Sequence, residues 1–366
     1  MTREIFAPTA SRLADGREIL FFSVDGPPSI GVDRRDLPAR PTLPVTTVRR
    51  DPTTGDNVIV APARQERTYK PPRTMCPLDP DPAGLSSEIP AADYEVVVFE
   101  NRFPSLAAPD GYAADSPAEV DPLRVEWPGL GRCEVVCFSS DHDGSFAGLS
   151  QRRARLVIDA WSHRTAELLA RSDIEEVYCF ENRGEEIGVT LTHPHGQIYG
   201  YPFRTRRTAS LLRTAAQYRA DHGADLFEAV LAGEVADGAR ILVRTEHVTA
   251  FVPYAAKWPV EAHVYPNRHV HNLAELTEAE ADDLAAVYLV LLRAFDALYD
   301  APLPYIASWH QYRSDSAEGY LHAELFSIRR SADKLKYLAG SESGRDAFVT
   351  DKTPEAIADE LRRVIG

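Results

Sequence analysis

Thr190-Leu191-Thr192-His193-Pro194-His195-Gly196-Gln197-Ile198-Tyr199 sets two histidines around a proline and follows them with a glycine and a glutamine. Proline holds its own φ near about −65° and pushes the residue before it toward extended geometry. The run therefore predicts a strand, with His193 and His195 on one face and roughly 6.6 Å apart. Gly196 leaves room beside His195 for a ligand or for another stretch of backbone. Gln197 points the same way and carries donors and an acceptor. Such a surface suits phosphorus chemistry on an imidazole nucleophile. It also suits a metal ion, since imidazole is the commonest metal-bound side chain, or a purely structural pair.

Upstream, Val177-Tyr178-Cys179-Phe180-Glu181-Asn182-Arg183-Gly184 reads as a strand and turn, and Gly188 leads on into the histidine run. Leu149 to about Ser172 carries apolar residues at helical spacing behind a capping Ser150, so a helix is predicted there. Cys133 to His142 is a strand ending in a polar turn, with Cys133 and Cys137 on one face as core residues. Tyr94 to Pro104 is a further strand and turn. Thr47 to Asp56 and Asn57 to Pro62 pair as a hairpin. The stretch after it, Arg64-Gln65-Glu66-Arg67-Thr68-Tyr69-Lys70, is dense in cations. Residues 1–44, broken by Pro27, Pro28, Pro38, Pro41 and Pro44, are expected to form an irregular arm over the body or a partner subunit.

Downstream, a basic stretch from Phe203 to Thr208 precedes a helix over about Thr208 to His222, and Gly233 to Gly238 reads as a polar link. The rest echoes what came before. Phe251 to Tyr254 and Ala262 to His269 repeat the strand-to-histidine unit, Thr277 to Tyr299 repeats the helix, and Tyr305–His310 with Tyr320–Phe326 repeats the closing strands. His142 and His193 lie 51 residues apart and His269 and His322 lie 53 apart. Matching order and spacing indicate a duplicated module. In the echo Glu324 takes the place of His195, so the first half alone keeps a nucleophile. Domains are expected at 1–44 (arm), 45–207 (nucleophile-bearing half) and 208–366 (second half). Thr353-Pro354-Glu355 opens a last helix running to about Val364.

The whole chain has 366 residues, 44 % of them hydrophobic and 26 % charged, enough to bury a sizeable core. No apolar run reaches the length of a bilayer span, and Met1-Thr2-Arg3-Glu4 lacks the apolar centre of a signal peptide. Four cysteines without a disulfide-like framework fit a reducing cytoplasm. A net charge of −15 argues against nucleic acid as a bulk partner, because that binding runs on phosphate neutralisation. A phosphorylated small molecule needs only a local cluster of donors.

His193-Pro194-His195-Gly196-Gln197-Ile198-Tyr199 resembles the active-site motif of the galactose-1-phosphate uridylyltransferases, a branch of the histidine-triad superfamily. The likeness covers roughly residues 45–360. It implies an α+β fold of duplicated histidine-triad-like modules, with a mostly antiparallel sheet and flanking helices. It implies a nucleotidyltransferase that moves UMP from UDP-glucose to galactose-1-phosphate through a covalent uridylyl-histidine. His195 is then the nucleophile, with the His193 carbonyl fixing its tautomer, and Gln197 and Thr190 meet the phosphoryl oxygens. Arg64 and Arg67 match an Arg-x-x-Arg that contacts the nucleotide, Asn101 a residue that meets the uridine portion, and Asn182 the Asn of a Glu-Asn-x-Gly signature. Arg102 departs from the Asp often found beside Asn101.

The same resemblance gives Lys336 and Glu342 to the hexose phosphate, with Ser341 and Phe348 departing from the Tyr and Gln of other members. A structural zinc site of Cys-x-x-Cys and two histidines would here be Cys76, Asp79, His142 and His193, with Asp79 in place of the second cysteine. Relatives with a second, iron-type site use a Glu where this chain has Leu211, so that site is not expected in its usual form. Relatives are commonly homodimers. Two other readings stay open: a nucleotide-sugar phosphorylase or adenylyltransferase of the same superfamily, such as an ADP-glucose phosphorylase, or a nucleotide-binding protein without turnover.

Overall fold

A computed structural model describes residues 6–67, 70–109, 121–299 and 301–366. Short runs rich in β-branched and aromatic residues pack well on a pleated surface and form the strands. In chain order these are β1 (Thr9–Arg12), β2 (Glu18–Phe22), β3 (Thr47–Arg50), β4 (Asn57–Val60), β5 (Val96–Glu100), β6 (Glu126–Pro128), β7 (Arg132–Cys137) and β8 (Glu176–Arg183). They continue as β9 (His195–Tyr201), β10 (Ile241–Arg244), β11 (Val248–Phe251), β12 (Val260–Pro266), β13 (Tyr305–His310), β14 (His322–Ser327), β15 (Arg329–Ser331) and β16 (Lys334–Leu335). Eleven join one sheet in the order β1-β2-β5-β7-β9-β8-β13-β14-β12-β11-β10. Every neighbouring pair in it is antiparallel. The hairpin β3–β4 pairs with β6 in a small separate sheet, as the turn at Asp51–Asp56 foretells.

Among the described residues, six helices accompany the strands: α1 (Gln151–Leu169), α2 (Arg206–His222), α3 (Leu226–Asp237), α4 (Glu278–Ala297), α5 (Gly340–Arg345) and α6 (Pro354–Ile365). Ser150 caps α1 through the Arg153 N–H, and Thr277 with Glu280 forms a capping box on α4. Both long helices lie on the same face of the sheet. Their apolar stripes bury Trp161 and Tyr288 against Trp309 of β13, with ring centroids 5.6–6.2 Å apart. Among the described residues, no helix is long and apolar enough to cross a membrane.

The chain is duplicated in space as well as in order. β5-β7-α1-β8-β9 and β11-β12-α4-β13-β14 have the same sequence of elements, and β8 meets β13 antiparallel where Arg183 faces Tyr305. One sheet therefore runs through both halves.

Alternation along β9 then positions the site. Ile198 faces the helices in the main core, whereas His195, Gln197 and Tyr199 are half-buried on the opposite face. In the second half Ala323 and Leu325 face the helices in the same way, which puts Glu324 on the site face of β14.

Three expectations are corrected. Residues 9–22 are not irregular: β1 and β2 form a hairpin that extends the main sheet beyond β5, and Ile19, Phe21 and Phe22 are fully buried. The signal was Ile19-Leu20-Phe21-Phe22, too short to register beside so many prolines. Gly233–Gly238 is no link; Gly233 lies inside α3, and Gly238 ends that helix in the left-handed conformation. The strand around the histidines begins only at His195, because His193 and Pro194 form a bend before it.

Candidate active site

His195 opens β9 at the meeting of two cavities. One is lined by Arg64, Arg67, Asn101, Arg102, Thr190 and Gln197, the other by His142, Glu181, Asn182, Glu185 and Thr192 among others; His195 lines both. Its Nδ1 stands 2.7 Å from the His193 carbonyl oxygen. A carbonyl only accepts, so Nδ1 carries the proton and Nε2 holds a free lone pair. Burial lowers the His195 pKa below that of an ordinary imidazole, against a smaller opposing pull from the His193 carbonyl, and keeps the ring neutral.

Two glycines in the motifs have steric causes. A Cβ at Gly196 would sit 2.7 Å from the Phe180 carbonyl oxygen of β8 and 2.9 Å from the Phe138 ring. The room expected there is taken up by the protein's own backbone. Gly184, the glycine of Glu-Asn-x-Gly, has φ +106°, and a Cβ on it would meet Pro304 at 2.7 Å.

The polar groups around the imidazole are mostly uncommitted. Among the described residues, the side chains of Gln197, Thr190 and Asn182 make no hydrogen bond, and Arg67 and Arg102 make no ion pair. Arg64 gives one bond, to the Phe103 carbonyl at 3.1 Å, and the Asn101 side chain accepts from the Phe103 N–H at 2.9 Å. Arg35 also reaches the first cavity but is tied to Asp33 and Glu88. Three guanidinium groups thus face one cavity without carboxylates to match them, which suits a ligand carrying several negative charges. Glu181, beneath the second cavity, is a carboxyl that burial pushes up to about 8, against the opposing pull of the Arg183 guanidinium. Its place in the signature was legible; its protonation depends on the helices packed over it.

Cys76, Asp79, His142 and His193 come together from three separate loops, with ligand atoms all within 4.8 Å of one another. His193 Nε2 lies 2.8 Å from the Ser139 carbonyl, which again only accepts, so Nε2 carries a proton. Its Nδ1 then faces Asp79 Oδ1 at 3.0 Å, and His142 Nδ1 faces the same oxygen at 2.7 Å. Burial disfavours a second proton on His193, so two ring nitrogens converge on a carboxylate in a way a cation would complete. The group can hold a metal ion. Burial pushes the Cys76 thiol up to about 11, and a bound cation would reverse that.

Lys336 and Glu342 do not reach His195. Lys336 Nζ is buried 2.6 Å from Glu342 Oε1, donates to the Lys257 carbonyl at 3.0 Å, and lies near the rings of Trp258 and Phe348. Neither residue lines the two cavities at the imidazole.

A duplicated antiparallel-sheet unit with one neutral imidazole poised over an arginine-lined cavity defines a nucleotide-transferring class of α+β protein. The chain matches the family described as Galactose-1-phosphate uridyl transferase over residues 40–205 (N-terminal domain) and 211–361 (C-terminal domain). It is 45 % identical to the galactose-1-phosphate uridylyltransferase of Streptomyces lividans, over 97 % of each chain. A solved uridylyltransferase structure is similar at a TM-score of 0.76 and 30 % identity, covering 87 % of this chain and 98 % of that one. An ADP-glucose phosphorylase from Arabidopsis thaliana shares the fold alone, at a TM-score of 0.63 and 20 % identity over 87 % of this chain and 99 % of that one. The chain belongs to the galactose-1-phosphate uridylyltransferase family.

Proposed function

We propose that the chain transfers UMP from UDP-glucose to galactose-1-phosphate by double displacement, through a uridylyl group carried on His195. The observation that carries this reading is the 2.7 Å bond from His195 Nδ1 to the His193 carbonyl, which leaves Nε2 free at a cavity of uncommitted donors. In the first step the Nε2 lone pair attacks the α-phosphorus; a P–N bond forms and the P–O bond to glucose-1-phosphate breaks. In the second, a phosphate oxygen of galactose-1-phosphate attacks the same phosphorus and the imidazole leaves with its electron pair. The leaving and attacking groups are already anions, so no carboxylate base is required. Neutral imidazole serves as both nucleophile and leaving group.

Gln197 and Thr190 hydrogen-bond the non-bridging oxygens as charge builds, with a typical effect of about 2.7–4 kcal/mol per donor. Arg64 and Arg67 neutralise the diphosphate, and Asn101 and Asn182 hold the nucleotide. A structural zinc ion fits Cys76, Asp79, His142 and His193, where it would cross-link three loops; its residues fix His193, whose carbonyl orients the nucleophile. The protein works as a homodimer in the cytoplasm, without nucleic acid or membrane partners, and its units are residues 1–44, 45–207 and 208–366. Lys336 and Glu342, remote from their own His195, grip the hexose phosphate in the site of the second copy.

Uracil-labelled UDP-glucose tests the reading. Acid-labile label on His195, formed with release of glucose-1-phosphate, is the expected result. No label and no glucose-1-phosphate exchange would refute it. Faster turnover of ADP-glucose with phosphate than of UDP-glucose with galactose-1-phosphate would move the assignment to a phosphorylase.

A further inference from the structure

The second half holds a polar cluster that the reaction does not use. His322 and Glu324 lie on β14, and His310 comes alongside on β13, paired with His322. Ligand atoms of the three all lie within 4.8 Å of one another. His322 Nδ1 donates to the Tyr320 carbonyl at 2.8 Å, leaving Nε2 bare and 3.8 Å from one Glu324 oxygen. His310 Nε2 is buried without a hydrogen bond and stands 3.3 Å from the other. Two imidazoles and a carboxylate so arranged make a donor set for a divalent metal.

A cation is nevertheless already in place. Arg207 Nη2 lies 2.5 and 2.6 Å from the two oxygens of Glu324, between them, where a carboxylate-bound ion would sit. Arg207 belongs to the first turn of α2, and Leu211 follows one turn later on the same helix face. Leu211 is apolar and packs toward Phe227, Phe251 and Tyr265, so that helix face brings no second carboxylate to the cluster. The charges therefore balance with the guanidinium, which matches the one carboxylate, whereas a divalent ion would call for two. The next carboxylate, Glu261, is engaged by the Lys257 and Trp258 N–H groups and by His263. An ion added beside Arg207 would leave an excess of positive charge in a desolvated pocket, which is costly.

We propose that the Arg207 guanidinium is the resident cation of this cluster, and that it keeps closed a latent divalent-metal site formed by His310, His322 and Glu324. The link between α2 and β14 is thus a direct ion pair rather than a metal bridge. Cobalt(II) titration of the full-length protein, followed by gel filtration, elemental analysis and visible spectroscopy, tests it. Arg207→Ala is expected to bind one more equivalent of cobalt per chain than the wild type. The added spectrum should contain d–d bands without a thiolate-to-cobalt band, since no cysteine is present, which separates this site from the one at Cys76. Adding His310→Ala should return the count to the wild-type value. Arg207→Gln gives the same reading if the alanine variant does not fold. A thiolate-free cobalt site in the wild type, or no extra equivalent in either Arg207 variant, overturns the proposal.

Discussion

Gly196→Ala is a one-carbon change whose cost can be worked out from the coordinates. The new Cβ would stand 2.7 Å from the Phe180 carbonyl oxygen and 2.9 Å from the Phe138 ring. Phe138 is fully buried against Phe146 and Trp161, and the carbonyl belongs to β8, whose ladder with β9 runs up to the Phe180–Gln197 pair beside the contact. Restoring an ordinary van der Waals distance requires the strands to part by roughly 0.5–1 Å. Overpacking of this kind costs about 1–3 kcal/mol, measurable by urea unfolding. His195 and Gln197 flank the altered residue and would move with it, and a shift on the order of 1 Å in a reacting group lowers rate by about 100-fold. A coupled assay following glucose-1-phosphate release should therefore show kcat falling about 100-fold while the fold persists. If the variant loses stability yet keeps wild-type kcat, strand spacing does not set the alignment of the nucleophile. If it loses neither, the packing argument fails outright.

Gln197→Ala should lower kcat about 100- to 1,000-fold with an unchanged melting temperature, because the amide makes no hydrogen bond within the described protein; a matching loss of stability would assign it a structural role. Asp79→Ala should reduce bound metal by elemental analysis and lower the melting temperature, and a protein that retains both would remove Asp79 from the ligand set. Glu181→Gln addresses pH. Its folded pKa of about 8 lies above the unfolded value of 4.5, so between these the native state holds a proton that the unfolded chain has lost, and wild-type stability falls as pH rises. The glutamine variant should lack that slope, which is at most about 1.4 kcal/mol per pH unit; identical slopes in the two proteins would show that Glu181 is ionised when folded.

Much of this molecule follows from local pattern. The hairpin at 47–62, the capped helices α1 and α4, and the last helix were legible because caps, turn residues and apolar periodicity act over a few neighbours. The bond that fixes His195 was legible for the same reason, since a carbonyl two residues back is reached through Pro194 alone. Misses had equally local causes. β2 is five residues long between turns, and α3 carries a glycine in its interior where helices are weakened, so neither pattern stood out.

The sequence by itself determined the imidazole proposed as nucleophile, the carbonyl that bonds it, the doubling of the strand–helix–strand unit and the family. These depend on dihedral preferences and on spacing along the chain. Only the tertiary structure decided that Gly196 makes room for a neighbouring strand, that Cys76 and Asp79 meet His142 and His193, and that Arg207 neutralises Glu324. Those contacts join residues from 16 positions apart (Phe180 and Gly196) to 117 (Arg207 and Glu324), and closing such loops is set by how helices and sheet pack together, which no short window of sequence contains.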